Sequence, residues 1–501
     1  MQGLEQRASG LLLHPTSLPG THGIGDLGPA AYRWVEMLVE ARQRVWQVLP
    51  LGPTGYGDSP YQTHSAFGGN PLLLDMEHLA RQGYIPCDAL KDAPAFPADR
   101  VDYGQVIRWK LPLLLNAHER FERLAPPEEQ KAFEAFCTAH DATWLHDYAL
   151  FMALKEHFGG APWDQWPAQI RQREFAALAH WSVRLAPRIM AYKFVQFLFF
   201  QQWEALKAYA NGRGILILGD VPIYVAYDSA DVWAHQHLFH LDGEGRPTVV
   251  AGVPPDYFSA TGQLWGNPIY RWDRMADEDY RWWVERFRAV RHLVDIVRLD
   301  HFRAFQAYYE IPAGAQTATQ GRWVQGPGEA FFQVIFQELG TFPIVAEDLG
   351  MITQEVEHLR RRLGFPGMKV LQFAFGGDTT NPYLPHNYDA DCVVYTGTHD
   401  NDTTVGWFQS ASQAERDFCL RYLGYRPEHI SWALIRLAAS SVARLTIFPV
   451  QDVLGLGSEA RMNVPGRVEG NWQWRLPPDM IGQPALEELA MITETYGRVP
   501  R

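Results

Sequence analysis

Eight short apolar segments constrain the fold of this 501-residue chain more than any other feature. Each is rich in β-branched or large apolar residues and ends in polar residues, glycine or proline, as buried strands do. The segments are 10–15, 44–50, 214–222, 294–300, 342–348, 367–375, 392–400 and 443–452. Helical spacing of apolar residues in 29–41 and 352–364 separates some of them. Apolar strands joined by helices predict a closed, parallel (β/α)8 barrel. A doubly wound open sheet is the alternative, disfavoured because we find no glycine-rich phosphate loop.

Two connections are too long for plain barrel loops, although we interpret 1–501 as one catalytic barrel. Residues 72–213 contain long helical patterns, which predict a helical insertion between the second and third strands. Residues 226–290 are rich in Gly, Pro, Trp and Tyr, which predicts a loop insertion between the third and fourth strands. Loops of that length are usually functional or disordered, and the aromatic content argues against disorder.

Composition and charge exclude several classes of protein. There are 44 Lys and Arg against 57 Asp and Glu, and the net charge of -13 argues against binding to nucleic acid or anionic membranes. The four cysteines lack the spacing of a zinc site or a disulfide framework. We find neither a signal-peptide pattern nor an 18-residue apolar run, so a cytoplasmic protein is expected.

Charged residues gather where the predicted strands end. In a barrel of this type the chemistry lies at the C-terminal ends of the strands. Those ends carry Asp220, Arg298, Asp300, Glu347, Asp348, His399 and Asp400. A lone Asp at a strand end often caps the next helix. That explanation does not cover Arg298 and Asp300, which point to one face of an apolar strand and cost desolvation unless they are used.

Carboxylates at one rim indicate glycoside or metal chemistry. Two of them suffice to cleave a glycosidic bond, one attacking the anomeric centre and one protonating the departing oxygen. The acid needs a raised pKa, whereas the nucleophile must stay ionised. We expect Arg298 to orient Asp300 and to keep it ionised, in a substrate cleft.

Three histidines are candidates for metal binding or for substrate contact. His14, His301 and His399 show no HExxH or HxH spacing, so no metal is expected and a metal-dependent hydrolase is the less favoured alternative. His399, next to Asp400, is expected to donate hydrogen bonds to sugar hydroxyls.

Longer segments resemble a known family. RLD (298–300), AEDLG (346–350) and TGTHDND (396–402) resemble the catalytic regions of the α-amylase clan. More narrowly, other segments look like those of amylomaltases, the 4-α-glucanotransferases of the disproportionating-enzyme group. These are LLLHPTSLPG (11–20), WQVLPLGPTGYGDSPYQ (46–62), GDVPIYVAYDSADVW (219–233), VAGVPPDYFSATGQLWGNPIYRW (250–272) and GNWQWR (470–475). The resemblance spans residues 10–475 and is to the compact, thermophile-like bacterial form.

The resemblance implies a role for each carboxylate. Asp300 matches the nucleophile that forms a covalent glucosyl intermediate, Glu347 the general acid/base, and Asp400 the third carboxylate, which stabilises the transition state. Implied substrate contacts are Arg298, His399, Asp220, Ser59, Tyr61, Trp265 and Asn471. The family is retaining, uses no nucleotide cofactor, and does not depend on the calcium site of many amylases.

Two regions bear on the finer contacts. After QFAF (372–375) the family pattern has an acidic residue at once, whereas here Gly376 and Gly377 precede Asp378, which leaves a sugar contact from this loop open. In 250–268, Tyr257 and Phe258 are expected to overhang the cleft with Tyr56 and to keep water from the intermediate. The alternative is that the aromatic residues of 250–268 only pack their loop onto the barrel.

We therefore predict transfer of α-1,4-glucan segments between maltooligosaccharides, with no nucleic-acid or membrane partner. A hydrolase of the same fold is one alternative, and the preference for transfer depends on the family-specific loops. A catalytically silent glucan-binding protein is the other, disfavoured because all three carboxylates are present.

Overall fold

The computed structural model describes residues 6–255, 260–478 and 480–499. The strands, in chain order, are β1 Ala8–Leu12, β2 Val45–Gln47, β3 Leu216–Val221, β4 Val249–Val253, β5 Gln263–Pro268, β6 Ile296–Leu299, β7 Ala307–Pro312, β8 Arg322–Gln325, β9 Ile344–Ala346, β10 Gly367–Val370, β11 Cys392–Tyr395 and β12 Leu445–Pro449. The helices are α1 Pro29–Glu40, α2 Met76–Arg81, α3 Cys87–Lys91, α4 Tyr103–Leu124, α5 Pro127–His140, α6 His146–His157, α7 Ala168–Arg171, α8 Phe175–Arg184, α9 Ala186–Gly212, α10 Ala230–Ala234, α11 Trp272–Asp277, α12 Arg281–Leu293, α13 Gly328–Leu339, α14 Gln354–Arg362, α15 Thr404–Ser410, α16 Gln413–Leu423, α17 Ile430–Ser440, α18 Val450–Val453 and α19 Gln483–Thr495.

Eight parallel strands form the central barrel, in the order β10-β11-β12-β1-β2-β3-β6-β9. The two end strands approach each other where the Ala346 N–H donates to the Pro366 carbonyl, 2.9 Å away. Seven of the eight apolar segments contain one of these strands and the first, 10–15, overlaps β1, so the predicted (β/α)8 barrel is confirmed. Its interior is filled by apolar side chains from all the strands, including Val45, Leu218, Ile296, Val345, Val393 and Leu445.

Two long connections add structure outside the barrel. Between β2 and β3 lie the helices α2 to α9, and the longest of them, α9, packs against α4 and α6. That residues 72–213 are one insertion stays a prediction.

The segment 226–290 is more regular than the loop expected from its composition. It contains α10, β4, β5, α11 and most of α12. Strands β4 and β5 join β7 and β8 in a four-stranded antiparallel sheet, in the order β5-β4-β7-β8. The strands escaped the sequence pattern because Gly252 and Gly266 interrupt them and because β4 pairs with β7, which follows much later in the chain.

In the part of the chain that the structure describes, no helix is long and apolar enough to cross a membrane.

A buried arginine ties the C-terminal segment to the N-terminal end of the barrel. Arg498 donates to the carbonyls of Ala8 at the start of β1 (3.0 Å), of Ala439 in α17 (2.7 Å) and of Ser441 (3.1 Å). Burial lowers its pKa to about 9, with a further contribution from the nearby charge of Arg7. Its hydrogen bonds offset this cost of burial.

Arg498→Met should lower the free energy of unfolding by about 3 kcal/mol, because three buried carbonyls lose a charged donor. Chemical unfolding measures the change. Arg100→Met is the control, because that side chain is 61% exposed, and a change within about 0.5 kcal/mol is expected there. Equal losses in the two variants would contradict the role of Arg498.

Candidate active site

The barrel brings the predicted charged residues together at one end. Asp220 in β3 is directly opposite Arg298 in the neighbouring strand β6. Asp300 follows β6 immediately and Glu347 follows β9, while Asp400 belongs to the segment after β11. Because the strands are parallel, their C-terminal ends share one rim of the barrel.

Arg298 is the central cation of the site. Its Nη1 donates to Asp220 Oδ2 at 2.6 Å and to Asp300 Oδ1 at 2.9 Å. Arg298 and Asp220 are buried, whereas the Asp300 side chain is 28% exposed. Asp220 Oδ2 also accepts a hydrogen bond from the Tyr61 hydroxyl at 2.7 Å. Asp300 is thereby oriented from within the barrel, with its free edge toward the opening.

A second set of contacts links Tyr61 to Asp400. The Tyr61 hydroxyl lies 2.9 Å from His399 Nε2, and the two rings stack with centroids 5.2 Å apart. His399 Nε2 is 3.3 Å from Asp400 Oδ2. Asp400 Oδ1 accepts a hydrogen bond from Asn463 Nδ2 at 2.6 Å. Polar contacts therefore connect the two carboxylates Asp300 and Asp400 through Arg298, Asp220, Tyr61 and His399.

Glu347 is held by the backbone. Its Oε2 accepts from the His301 N–H and its Oε1 from the Leu349 N–H, both at 2.8 Å. His301 has a left-handed backbone conformation, with φ of 50°, which is unusual for a residue other than glycine and marks a strained position. The His301 ring meets Trp265 edge-on, with centroids 4.8 Å apart.

Burial separates the proton affinities of Glu347 and Asp300. It raises the pKa of Glu347 to about 7, with the negative charge of Asp300 adding to the effect and Arg298 opposing it. Burial also raises the pKa of Asp300, to about 6, while Arg298 lowers it. We expected Arg298 to keep Asp300 ionised, and Arg298 does favour the anion, although desolvation outweighs the ion pair and leaves the pKa of Asp300 above its ordinary range. That Asp300 works as an anion stays a prediction. The negative charge of Asp300 favours the proton on Glu347, whereas the positive charge of Arg298 favours the anion at Asp300.

Asp400 and His399 each stabilise the charged form of the other. Burial opposes ionisation of Asp400, but the charge and hydrogen bond of His399 and the amide of Asn463 bring its pKa well below the usual range. Burial likewise opposes protonation of His399, and Asp400 more than compensates, so the pKa of His399 is raised. Asp400 is therefore an anion that stays charged when Glu347 is protonated.

The remaining predicted contact residues are described by their local interactions. Ser59 Oγ accepts from the Tyr61 N–H at 3.2 Å, and Tyr56 is 74% exposed. Trp265 Nε1 donates to Gln263 at 3.0 Å. Asn471 braces its own loop, because its side chain accepts from the Val464 N–H at 2.9 Å. Tyr257 and Phe258 lie outside the described residues. Sugar contacts from all of these stay predictions.

The glycine-containing loop after 372–375 places its acidic residue on the surface. Asp378 Oδ1 accepts from the Thr380 N–H at 2.8 Å and from its hydroxyl at 2.6 Å. Asp378 is exposed and stabilises its own turn.

Sequence reasoning missed Asn463 and Asp452, and it gave His14 a different interpretation. Asn463 is far from Asp400 in the chain, and a lone Asn carries no spacing signal. Asp452 contacts both ends of the segment that carries His399 and Asp400. His14 accepts from the Leu49 N–H at 3.2 Å through Nδ1, and burial lowers its pKa to about 3. Among the described residues, no group of three or more His, Cys, Asp or Glu side chains is arranged to hold a metal ion.

Comparison with known proteins gives a consistent result over the whole chain. Residues 13–480 match the profile of a family described as 4-alpha-glucanotransferase. The chain is 58% identical to a 4-alpha-glucanotransferase of Thermus thermophilus, covering 98% of this chain and 99% of that one. It is 53% identical to one from Synechocystis, covering 99% of both. The amylomaltase from Streptococcus agalactiae in complex with acarbose superposes with a TM-score of 0.95 at 40% identity, covering 99% of this chain and all of the other.

Asp300→Asn should lower the pKa of Glu347 below about 7, because it removes a neighbouring negative charge and leaves Arg298 with Asp220 as its charged partner. Infrared difference spectroscopy of the carboxyl groups during a pH titration measures the change. Asp295→Asn is the control, since Asp295 directly precedes β6 at the opposite end of the strand, where it accepts from the Ile217 N–H of β3. An unshifted Glu347 titration in Asp300→Asn would rule out the coupling.

Proposed function

This chain belongs to the 4-alpha-glucanotransferase family, and we propose that Asp300, Glu347 and Asp400 perform its transfer reaction on α-1,4-glucans. The observation that supports this assignment best is the geometry at the rim, where Arg298 donates to Asp300 while the neighbouring Glu347 accepts only from backbone N–H groups. A positive partner favours the anion at Asp300, and burial beside that negative charge favours the proton on Glu347, as a retaining mechanism requires.

In the first step, an Asp300 carboxylate oxygen forms a bond to C1 of the donor sugar. The bond from C1 to the glycosidic oxygen breaks, and Glu347 gives its proton to that oxygen, which leaves with the rest of the glucan. Arg298 donates to Asp300 Oδ1 and so fixes the orientation of the nucleophile. The product of this step is a covalent glucosyl intermediate with Glu347 ionised.

In the second step, the 4-hydroxyl of an acceptor glucan replaces the leaving group. Glu347 takes the proton of that hydroxyl, the hydroxyl oxygen forms a bond to C1, and the bond from C1 to Asp300 breaks. Two inversions at C1 leave the α configuration unchanged. Glu347 ends the cycle protonated and Asp300 ionised, as they began.

Asp400 supplies a fixed negative charge beside the reacting sugar. Both transition states carry positive charge at C1 and the ring oxygen, which a preorganised anion stabilises. The low pKa of Asp400 keeps it ionised throughout. His399 contacts Asp400, and Tyr61 contacts His399. Both side chains are placed to bind hydroxyls of the same sugar.

Maltooligosaccharides are the proposed donors and acceptors, in keeping with the acarbose bound by the Streptococcus agalactiae amylomaltase. A cytoplasmic location is supported by the four cysteines, which are all free thiols, as is usual in a reducing compartment. The proposed exclusion of water by Tyr257 and Phe258 concerns residues outside the described part of the chain.

Maltotriose distinguishes transfer from its alternatives. Transfer should produce glucose together with a ladder of longer maltooligosaccharides, whereas hydrolysis gives glucose and maltose alone and simple binding gives no change. Asp300→Asn should lower the rate by about 10⁴-fold or more, because an amide cannot attack C1. Asp295→Asn, at the other end of β6, should leave the product ladder unchanged. More than a few per cent of activity in pure Asp300→Asn would assign the nucleophile elsewhere.

Glu347→Gln should respond to the leaving group of the donor. Transfer from maltotriose should fall by about 10²- to 10⁴-fold because no acid protonates the departing oxygen. An α-glucosyl fluoride needs no proton to depart, so the first step should proceed and a glucosyl adduct should accumulate on Asp300, visible by mass spectrometry.

Asp348→Asn provides the matched control for Glu347→Gln. Asp348 is the next residue, but it accepts from the Met368 N–H at 2.7 Å and pairs with Arg360 at 3.1 Å, away from the reaction. It should lose stability without gaining any preference for the fluoride donor. Consumption of the fluoride by Glu347→Gln with no adduct on Asp300 would contradict the two roles.

A further inference from the structure

We propose that Asp452 is a positioning residue for the transfer reaction, which fixes the loop 397–403 that carries His399 and Asp400. This inference depends on the role proposed above for Asp400. Asp452 lies in α18, directly after barrel strand β12.

Asp452 binds both ends of the loop 397–403. Its Oδ2 accepts from the hydroxyl of Thr396, which directly follows β11, at 2.5 Å. The same oxygen accepts from the hydroxyl of Thr404, the first residue of α15, at 2.8 Å. Its Oδ1 accepts from the Thr404 N–H at 2.7 Å. One carboxylate therefore sets the distance between the point where the loop leaves the barrel and the point where it enters the helix.

The carboxylate is in an environment that disfavours its charge. Asp452 is 1% exposed, and no Lys, Arg or His pairs with it within the described ranges 6–255, 260–478 and 480–499. Burial raises its pKa, and the hydrogen bonds from Thr396 and Thr404 oppose that shift. Because a buried, unpaired carboxylate is costly, the three hydrogen bonds must be well formed, and they leave the two loop ends little freedom.

Between its two ends, the loop presents Asp400 to the cleft. The Asp400 side chain is 47% exposed, and it is held by His399 from the same loop and by Asn463. Arg461 donates to the Asp400 carbonyl at 2.7 Å. Because Asp400 is part of this loop, a shift of the loop backbone would displace the anion, and a displacement of about 1 Å in an active site can cost about 10²-fold in rate.

The direct experiment is Asp452→Ala, assayed by maltotriose transfer. We expect kcat to fall by about 10- to 100-fold while KM changes by less than about threefold, since Asp400 acts mainly in the transition state. Asp452→Asn, which keeps the shape and one acceptor oxygen, should recover part of the loss. Thr396→Val, which removes a single donor, should give a smaller fall of the same kind.

Coupling to Asp400 separates positioning from general stability. Acarbose binding, measured by calorimetry, requires no turnover and can be followed in weakly active variants. Asp452→Ala should weaken acarbose in the otherwise unchanged protein. It should have no further effect in an Asp400→Ala background, because residues that act through one another are non-additive. Additive losses would overturn the proposal.

Asp75→Ala is the matched control. Asp75 is also a buried aspartate, and it caps α2 by accepting from the His78 N–H at 3.1 Å. It should lower the melting temperature without changing kcat or acarbose affinity. If Asp452→Ala behaves in the same way, the inference is overturned. If Asp452→Ala does not fold, Thr396→Val replaces it, alone and in the Asp400→Ala background. Additive losses of acarbose affinity would then overturn the inference.

Different results would contradict the proposed role of Asp400 and the proposed role of Asp452. Unchanged kcat and acarbose affinity in Asp400→Ala would remove the proposed role of Asp400, whatever Asp452 does. A large effect of Asp400→Ala together with no effect of Asp452→Ala on either quantity would remove only the positioning role.

Discussion

The buried guanidinium of Arg298 is the group on which the arrangement of the site depends. It lies inside the barrel mouth between Asp220 and Asp300, and burying a cation there is costly unless carboxylates pair with it. Asp220 in turn holds the Tyr61 hydroxyl, which reaches His399. The ion pair thus sets the nucleophile and, through polar contacts, one side of the substrate cleft.

The burial that makes the ion pair necessary also changes the pKa values of the carboxyl groups in the site. Three carboxyl groups on one rim differ in their proton affinity because their neighbours differ. Glu347 has backbone donors and a negative neighbour, Asp300 has Arg298, and Asp400 has His399 and Asn463. One fold can therefore hold an acid, a nucleophile and a permanent anion within one cleft.

Much of the fold could be predicted from the sequence, because barrel strands are short, buried on both faces and recognisable one at a time. The carboxylates could be predicted for the same reason, since each directly follows a strand or lies in the segment after it. The strands β4 and β5 could not, because β4 pairs with β7, which lies outside the segment, and glycines interrupt the pattern of both strands. The raised pKa of Asp300 could not be predicted either. The spacing of Arg298 and Asp300 predicts their ion pair, but the loss of water around Asp300 depends on the folded structure.

The sequence by itself determined the eight barrel strands, the end of each strand that carries charge, and the family, because these are properties of consecutive residues. Only the tertiary structure decided which groups tune and hold the site. Asn463 reaches Asp400, and Asp452 reaches Thr396 and Thr404, across long separations in the chain. Such contacts exist only after the barrel closes and brings the segments following β11 and β12 side by side, and burial, which sets the pKa values, arises in the same step.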